Sequence, residues 1–159
     1  MSSPIHYFAT IDIPASQVLT LQTTPVLLVP GEALYLMNVN NAVVKYVAGS
    51  TPFNPATYDA LVIYTGDGTT LGSLKLYPGA QCLAKGFLDQ AVNHTTYFDA
   101  WMGDNGSNAN GGPAPASSIV GIGLYLSQFN SQSTFPSGSN WTQGNGSLVV
   151  EVEYSYLLA

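Results

Sequence analysis

Leu148-Val149-Val150-Glu151-Val152-Glu153-Tyr154-Ser155-Tyr156 places Leu148, Val150, Val152, Tyr154 and Tyr156 on one face of an extended chain and Glu151, Glu153 and Ser155 on the other. A period of two with one apolar and one polar face is the pattern of a strand that covers a core with one side and meets water with the other. The same alternation recurs upstream. Val120, Ile122, Leu124 and Leu126 alternate with Gly121, Gly123 and Tyr125, and Leu19 and Leu21 alternate with Thr20 and Gln22. Further strands are expected at Tyr7 to Ile13, Leu34 to Val39, Ala42 to Val47, Leu61 to Tyr64, Leu71 to Tyr77 and Tyr97 to Trp101.

Between these runs stand Pro14, Pro25, Pro30-Gly31, Pro52, Pro55, Gly66-Asp67-Gly68 and Pro78-Gly79, residues that supply the fixed or positive φ of turns. Asn40-Asn41 is expected to form a tight hairpin turn. Apolar residues rarely recur at three-and-four spacing, and Glu, Lys and Arg are scarce, so little or no helix is expected. Short strands without helical crossovers predict an all-β fold: a two-sheet antiparallel sandwich of jelly-roll type with about eight strands.

The 159 residues suit one domain, 1–159, able to bury roughly 70% of its unfolded surface. An extended N-terminal arm is expected at about 1–8. Two stretches rich in Gly, Ser and Asn, 103–116 and 127–146, are expected as long loops. The second carries Phe129, Phe135 and Trp141, so it is expected to dock on the domain or on a neighbour.

Charged residues make up only 8% of the chain, where about 25% is usual, while the apolar share is an ordinary 46%. The surface must therefore be built from Ser, Thr, Asn, Gln, Gly and Tyr, groups that lose far less than ions on leaving water. Such a surface suits broad contact with another protein. Lys45, Lys75 and Lys85 are the only basic side chains apart from two histidines, against a net charge of −6. Phosphate binding needs clustered cations, so no nucleic-acid partner is expected. The opening Met1-Ser2-Ser3-Pro4-Ile5-His6-Tyr7-Phe8 has neither a basic nor an apolar signal region, and no apolar run approaches the ~20 residues of a membrane span. The chain is expected to stay where it is made, with no membrane partner.

Chemistry-bearing motifs are sparse. Cys82 is the only cysteine, which rules out an internal disulfide and a multi-cysteine zinc site, and a buried thiol is expected. His6 and His94 stand in no catalytic spacing, and Asn93-His94-Thr95-Thr96 reads as a turn. Glu151 and Glu153 point the same way about 7 Å apart, near the separation of glycosidase carboxylates, but glutamates on the outward face of a strand usually sit in water. Asp104-Asn105-Gly106 offers oxygen ligands without the alternating acids of a calcium loop. Neither a metal nor a cofactor is expected, and no catalytic residue is assigned. Four glycosylation sequons, at Asn93, Asn105, Asn140 and Asn145, are of a kind that arises by chance in such loops. Trp101 follows Tyr97 and Phe98 and is expected in the core. Tyr7, Phe8, Phe129, Phe135 and Trp141 are the candidate interface or ligand contacts, because aromatic faces give large amphipathic contact area.

Three stretches resemble small bacteriophage virion proteins of the capsid decoration or cement type. Ile11-Asp12-Ile13-Pro14-Ala15 with Val18 to Pro30 looks like their N-terminal signature, Gly123-Leu124-Tyr125-Leu126 like their penultimate strand, and Asn145 to Tyr154 like their closing strand. The chain departs from that group in running directly from Pro30-Gly31-Glu32 into Ala33-Leu34, without a longer Gly/Ala-rich turn and a basic residue. The resemblance implies a jelly-roll-like domain that clamps neighbouring subunits of a shell. The expected partner is the major capsid protein, the expected location the capsid exterior of the virion, and the expected state a homo-oligomer, dimer or trimer. The competing expectation is a receptor- or carbohydrate-binding module of a phage tail or fibre.

Overall fold

A computed structural model describes residues 5–66, 80–98, 121–130 and 140–158. Among them the chain forms β1 (Tyr7–Ile13), α1 (Ala15–Val18), β2 (Val26–Val29), β3 (Tyr35–Val47), β4 (Asp59–Gly66), β5 (Ala80–Leu83), β6 (His94–Phe98), β7 (Gly123–Asn130) and β8 (Ser147–Leu158). Sheet A has the order β1-β8-β3-β6 and sheet B the order β2-β7-β4-β5. All pairings are antiparallel. The first strand pairs with the last, the second with the seventh, the third with the sixth and the fourth with the fifth. One long antiparallel ribbon has thus been rolled up until β3 meets β8 and β4 meets β7. That winding is the eight-stranded jelly roll, and the expected fold class is observed.

The inner faces follow the alternation. Leu148, Val150 and Val152 of β8, Ala42, Val44 and Tyr46 of β3 and Ile13 of β1 meet Leu61, Ile63, Leu124, Leu126 and Val29 of sheet B in one core. Strand β4 is buried on both faces, with Ala60, Val62 and Tyr64 covered as well as Leu61 and Ile63. Sheet A is one-sided, and its outer face carries the charges.

Five local expectations are corrected. The Asn40-Asn41 hairpin is absent: β3 runs unbroken along β8 from Tyr35 to Val47, with a register shift between Val39 and Asn41. Neither asparagine has the positive φ that a two-residue hairpin needs, so the extra residue is absorbed as a bulge. Leu19 and Leu21 do not form a strand. Val18 and Leu21, three apart, bury one side of α1 and the turns after it, where Leu19 N–H donates to the Ala15 carbonyl at 2.9 Å and Thr24 N–H to that of Thr20 at 2.8 Å. His94 opens β6 opposite Tyr46 rather than lying in a turn. The 127–146 loop is shorter than expected, since Ser127 to Asn130 belong to β7, where Ser127 and Gln128 are fully buried. Tyr7 and Phe8 likewise sit in β1 and not in an N-terminal arm. The expected strand from Leu71 to Tyr77 and the 103–116 loop lie outside the described residues, as do Trp101 and Asp104.

Candidate functional site

Strands β3 and β8 are 13 and 12 residues long, against eight for β4 and β7, so among the described residues sheet A runs past sheet B. The overhang holds four tyrosines on the inner side of the sheet. Tyr7 stacks on Tyr154 with centroids 5.5 Å apart, Tyr154 meets Tyr156 edge-on at 5.5 Å, and Tyr35 meets Tyr156 edge-on at 6.1 Å. Tyr156 Oη donates to the Pro30 carbonyl at 2.7 Å and ties the overhang to the segment after β2. Burial, helped by the neighbouring Tyr154, Glu32 and Tyr7, pushes its phenol up to about 12. Around these rings Ile5, Leu34 and Leu158 are exposed, Leu34 at 71% and Leu158 at 74%. Leu34 also has a φ of 70°, a left-handed backbone that side chains other than Gly, Asn and Asp rarely adopt. An exposed leucine held in a strained turn contributes nothing to the core. Contiguous apolar exposure of this kind marks a surface that meets another molecule.

The outer face of sheet A is chemically different. Glu151 and Glu153 stand side by side on β8, as the spacing predicts. Lys45 Nζ donates to Glu151 Oε1 at 2.5 Å, and both side chains are 43% exposed. Glu153 Oε1 lies 2.8 Å from His6 Nδ1, which is 3.0 Å from the Asn40 amide nitrogen. Nδ1 donates to the carboxylate in one tautomer and accepts an Asn40 N–H in the other. Phe8, Thr10, Asn41 and Val43 complete a shallow groove of about 200 Å³ along the two glutamates. The carboxylates therefore lie on a flat, open strand, each engaged by a neighbouring basic group. Glycoside hydrolysis instead places its pair on either side of a cleft. Among the described residues no three His, Cys, Asp or Glu side chains gather as a metal site.

The opposite end of the sandwich is closed. Trp141 is 5% exposed, packs on Phe53 at 5.9 Å, and donates from Nε1 to the buried Asp59 Oδ2 at 2.8 Å. That oxygen also accepts the Ala56 N–H at 2.8 Å. Gly144, at φ 133°, lets the chain pass the Phe53 ring, which a Cβ there would meet at 2.2 Å. Asn54 Oδ1 accepts the Thr142 N–H at 3.1 Å, while Asn145 accepts the Thr51 N–H at 2.8 Å and donates to Ser50 Oγ at 2.8 Å. Both the oxygen and the nitrogen of the Asn145 amide are thus engaged within the domain.

Trp141 is accordingly corrected from ligand contact to internal anchor, because its indole N–H has a buried carboxylate to satisfy and its faces are covered. Tyr7 and Phe8 sit where a contact is possible, Tyr7 in the tyrosine cluster and Phe8 at 76% exposure beside the groove. The Phe129 side chain and Phe135 lie outside the described residues. Sequence reasoning missed Leu34, Tyr35 and Leu158. The available signal was an apolar run, Tyr154 to Leu158, that continues beyond the last glutamate with no charge to mark solvent.

No protein-family model matches the sequence, and no curated protein matches it. A solved structure with some similarity is the cryo-EM structure of Mud crab tombus-like virus, at 11% identity and a TM-score of 0.25, covering 100% of this chain and 84% of that one. A superposition that loose carries no argument about function, which must be drawn from the surface of this chain.

Proposed function

We propose that this protein is a non-enzymatic structural component of a virus particle, a phage capsid decoration protein that binds the major capsid protein on the shell exterior as a small homo-oligomer. The observation that carries the reading is the open tyrosine end of sheet A, where Ile5, Leu34 and Leu158 stay exposed around four packed rings. A jelly roll is at home in capsids and in lectins alike, so the fold alone does not decide between them. The low-charge surface supports the shell reading, because a surface of amides and hydroxyls can be covered without burying unpaired ions. The test is co-sedimentation of purified protein with shells that lack it. Saturable, stoichiometric binding is the expected result, and a folded protein left in the supernatant contradicts the reading.

A second reading, a carbohydrate- or receptor-binding module of a tail or fibre, now rests on Phe8 rather than Trp141. The Phe8 ring stands exposed beside Asn41, Glu151 and Glu153, an apolar face next to hydrogen-bonding groups that suits a sugar. Glycan-array binding that disappears in Phe8→Ala would favour it, and a silent array would remove it.

A further inference from the structure

Four strands are sheet edges: β1 and β6 in sheet A, β2 and β5 in sheet B. Folded proteins blunt such edges by keeping them short, bulging them or placing Lys or Pro along them. Strand β2 has four residues between Pro25 and Pro30 and a register shift after Leu27; among the described residues β5 has four and β6 five. Strand β1 differs from all three. Its seven residues, Tyr-Phe-Ala-Thr-Ile-Asp-Ile, contain no Lys, Arg, Pro or Gly. They keep one unbroken register along β8 from Tyr7 to Ile13. Among the described residues nothing pairs with the other side. A long, regular, unguarded edge is a template for another strand.

From this edge we infer that β1 pairs with β1 of a second copy of the chain, antiparallel across a two-fold axis at Thr10, joining two four-stranded sheets into one of eight. Thr10 is the midpoint of Tyr7–Ile13, so this register alone pairs the whole strand with itself. On the inner face it sets Tyr7 against the partner's Ile13 and Ala9 against the partner's Ile11. On the outer face Thr10 meets the partner's Thr10, a favourable cross-strand pair, and Phe8 meets the partner's Asp12. Asp12 is the only charged residue in β1, and no carboxylate faces a carboxylate in this arrangement. That matters for a chain of net charge −6, whose copies repel one another wherever acids meet. The dimer has a further consequence. Because β1 runs antiparallel to its copy, the two tyrosine ends lie at opposite extremes of the interface, giving the bivalent contact that a clamp between shell subunits requires.

This deepens the homo-oligomer of the proposed function and rests on that part of it, so two readouts are kept separate: native mass in solution and co-sedimentation with shells. The wild-type protein is expected to be a dimer by light scattering at micromolar concentration. Thr10→Lys places two ammonium groups on the axis and should give a monomer with unchanged circular dichroism, since Thr10 is exposed and the new lysine faces Glu151 across β8. Phe8, at 76% exposure and opposite Glu153 of β8, gives a second test, with urea unfolding read beside native mass so that repulsion within the chain is told from repulsion across the axis. Phe8→Glu sets a carboxylate against the partner's Asp12 and should weaken the dimer roughly tenfold, whereas Phe8→Lys should hold it. A monomeric wild type, a dimer that survives Thr10→Lys, or equal effects of Glu and Lys at position 8 would each overturn the inference. A wild-type monomer that loses shell binding in Thr10→Lys would also overturn it, by giving the edge to the shell protein. A dimer that never binds shells sinks the decoration function and leaves the edge pairing standing.

Discussion

The two ends of this sandwich use aromatic side chains in opposite ways. At one end Tyr46, Phe53, Phe87 and Trp141 pack inward at centroid distances of 5.9 to 6.1 Å, and the indole N–H is matched to a buried aspartate. At the other Tyr7, Tyr35, Tyr154 and Tyr156 lie side by side on a sheet that has outrun its partner, ringed by exposed leucines. The ring count is the same, four at each end; what decides their use is whether, among the described residues, a second layer lies opposite. Where sheet B and the 140–146 segment cover the rings they stabilise the fold, and where no described residue covers them they are available to a partner.

The largest expected effect falls on the closed end. Trp141→Ala removes a buried ring and strands a carboxylate, and should cost about 3–5 kcal/mol in urea unfolding. Asp59→Ala leaves the Trp141 and Ala56 N–H groups unsatisfied and should cost about 2–3 kcal/mol by the same measurement. Neither variant, while folded, should change shell affinity. The open end should behave in reverse. Leu34→Asn combined with Leu158→Ser should leave stability within about 0.5 kcal/mol, because both side chains are exposed and Asn tolerates the left-handed turn. Shell affinity should nevertheless drop at least roughly tenfold. If stability falls and affinity holds, the comparison between the ends is wrong.

Two smaller effects sharpen it. Tyr156→Phe loses the hydrogen bond to Pro30 and should cost about 1 kcal/mol. The phenol is raised from 10.0 to about 12, so the folded state favours its neutral form. Its contribution is complete below pH 10 and is lost as pH rises through 12; Tyr156→Phe should remove a step near pH 12 from the alkaline tyrosine titration. Smallest is Lys45→Met, which breaks a pair whose members are both 43% exposed. It should shift stability by at most about 0.5 kcal/mol at low salt and by nothing measurable at high salt.

Much of the fold was legible because alternation survives wherever a strand covers a core on one side. Strands β1 and β8 have such patterns, and β1 is observed over the expected residues. Strand β2 escaped notice because Val26 to Val29 is a continuous apolar run of four between two prolines, with no alternation to see. The α1 segment was misread because Leu19 and Leu21 mimic a strand, while the three-residue spacing of Val18 and Leu21 decides the burial. The site was less legible than the fold. Trp141 and Tyr35 look equally suited to contact in sequence. Only the tertiary placement of Asp59 beneath the indole, and the lack of a sheet B strand beside Tyr35 among the described residues, tells an anchor from an open ring.

The most direct test of the open tyrosine end as the shell contact is hydrogen exchange of the protein free and bound to shells. The account predicts new protection at residues 5–7, 34–37 and 154–158, with none added at 140–146. Protection gained at 140–146, with 34–37 and 154–158 exchanging as freely as before, would contradict it.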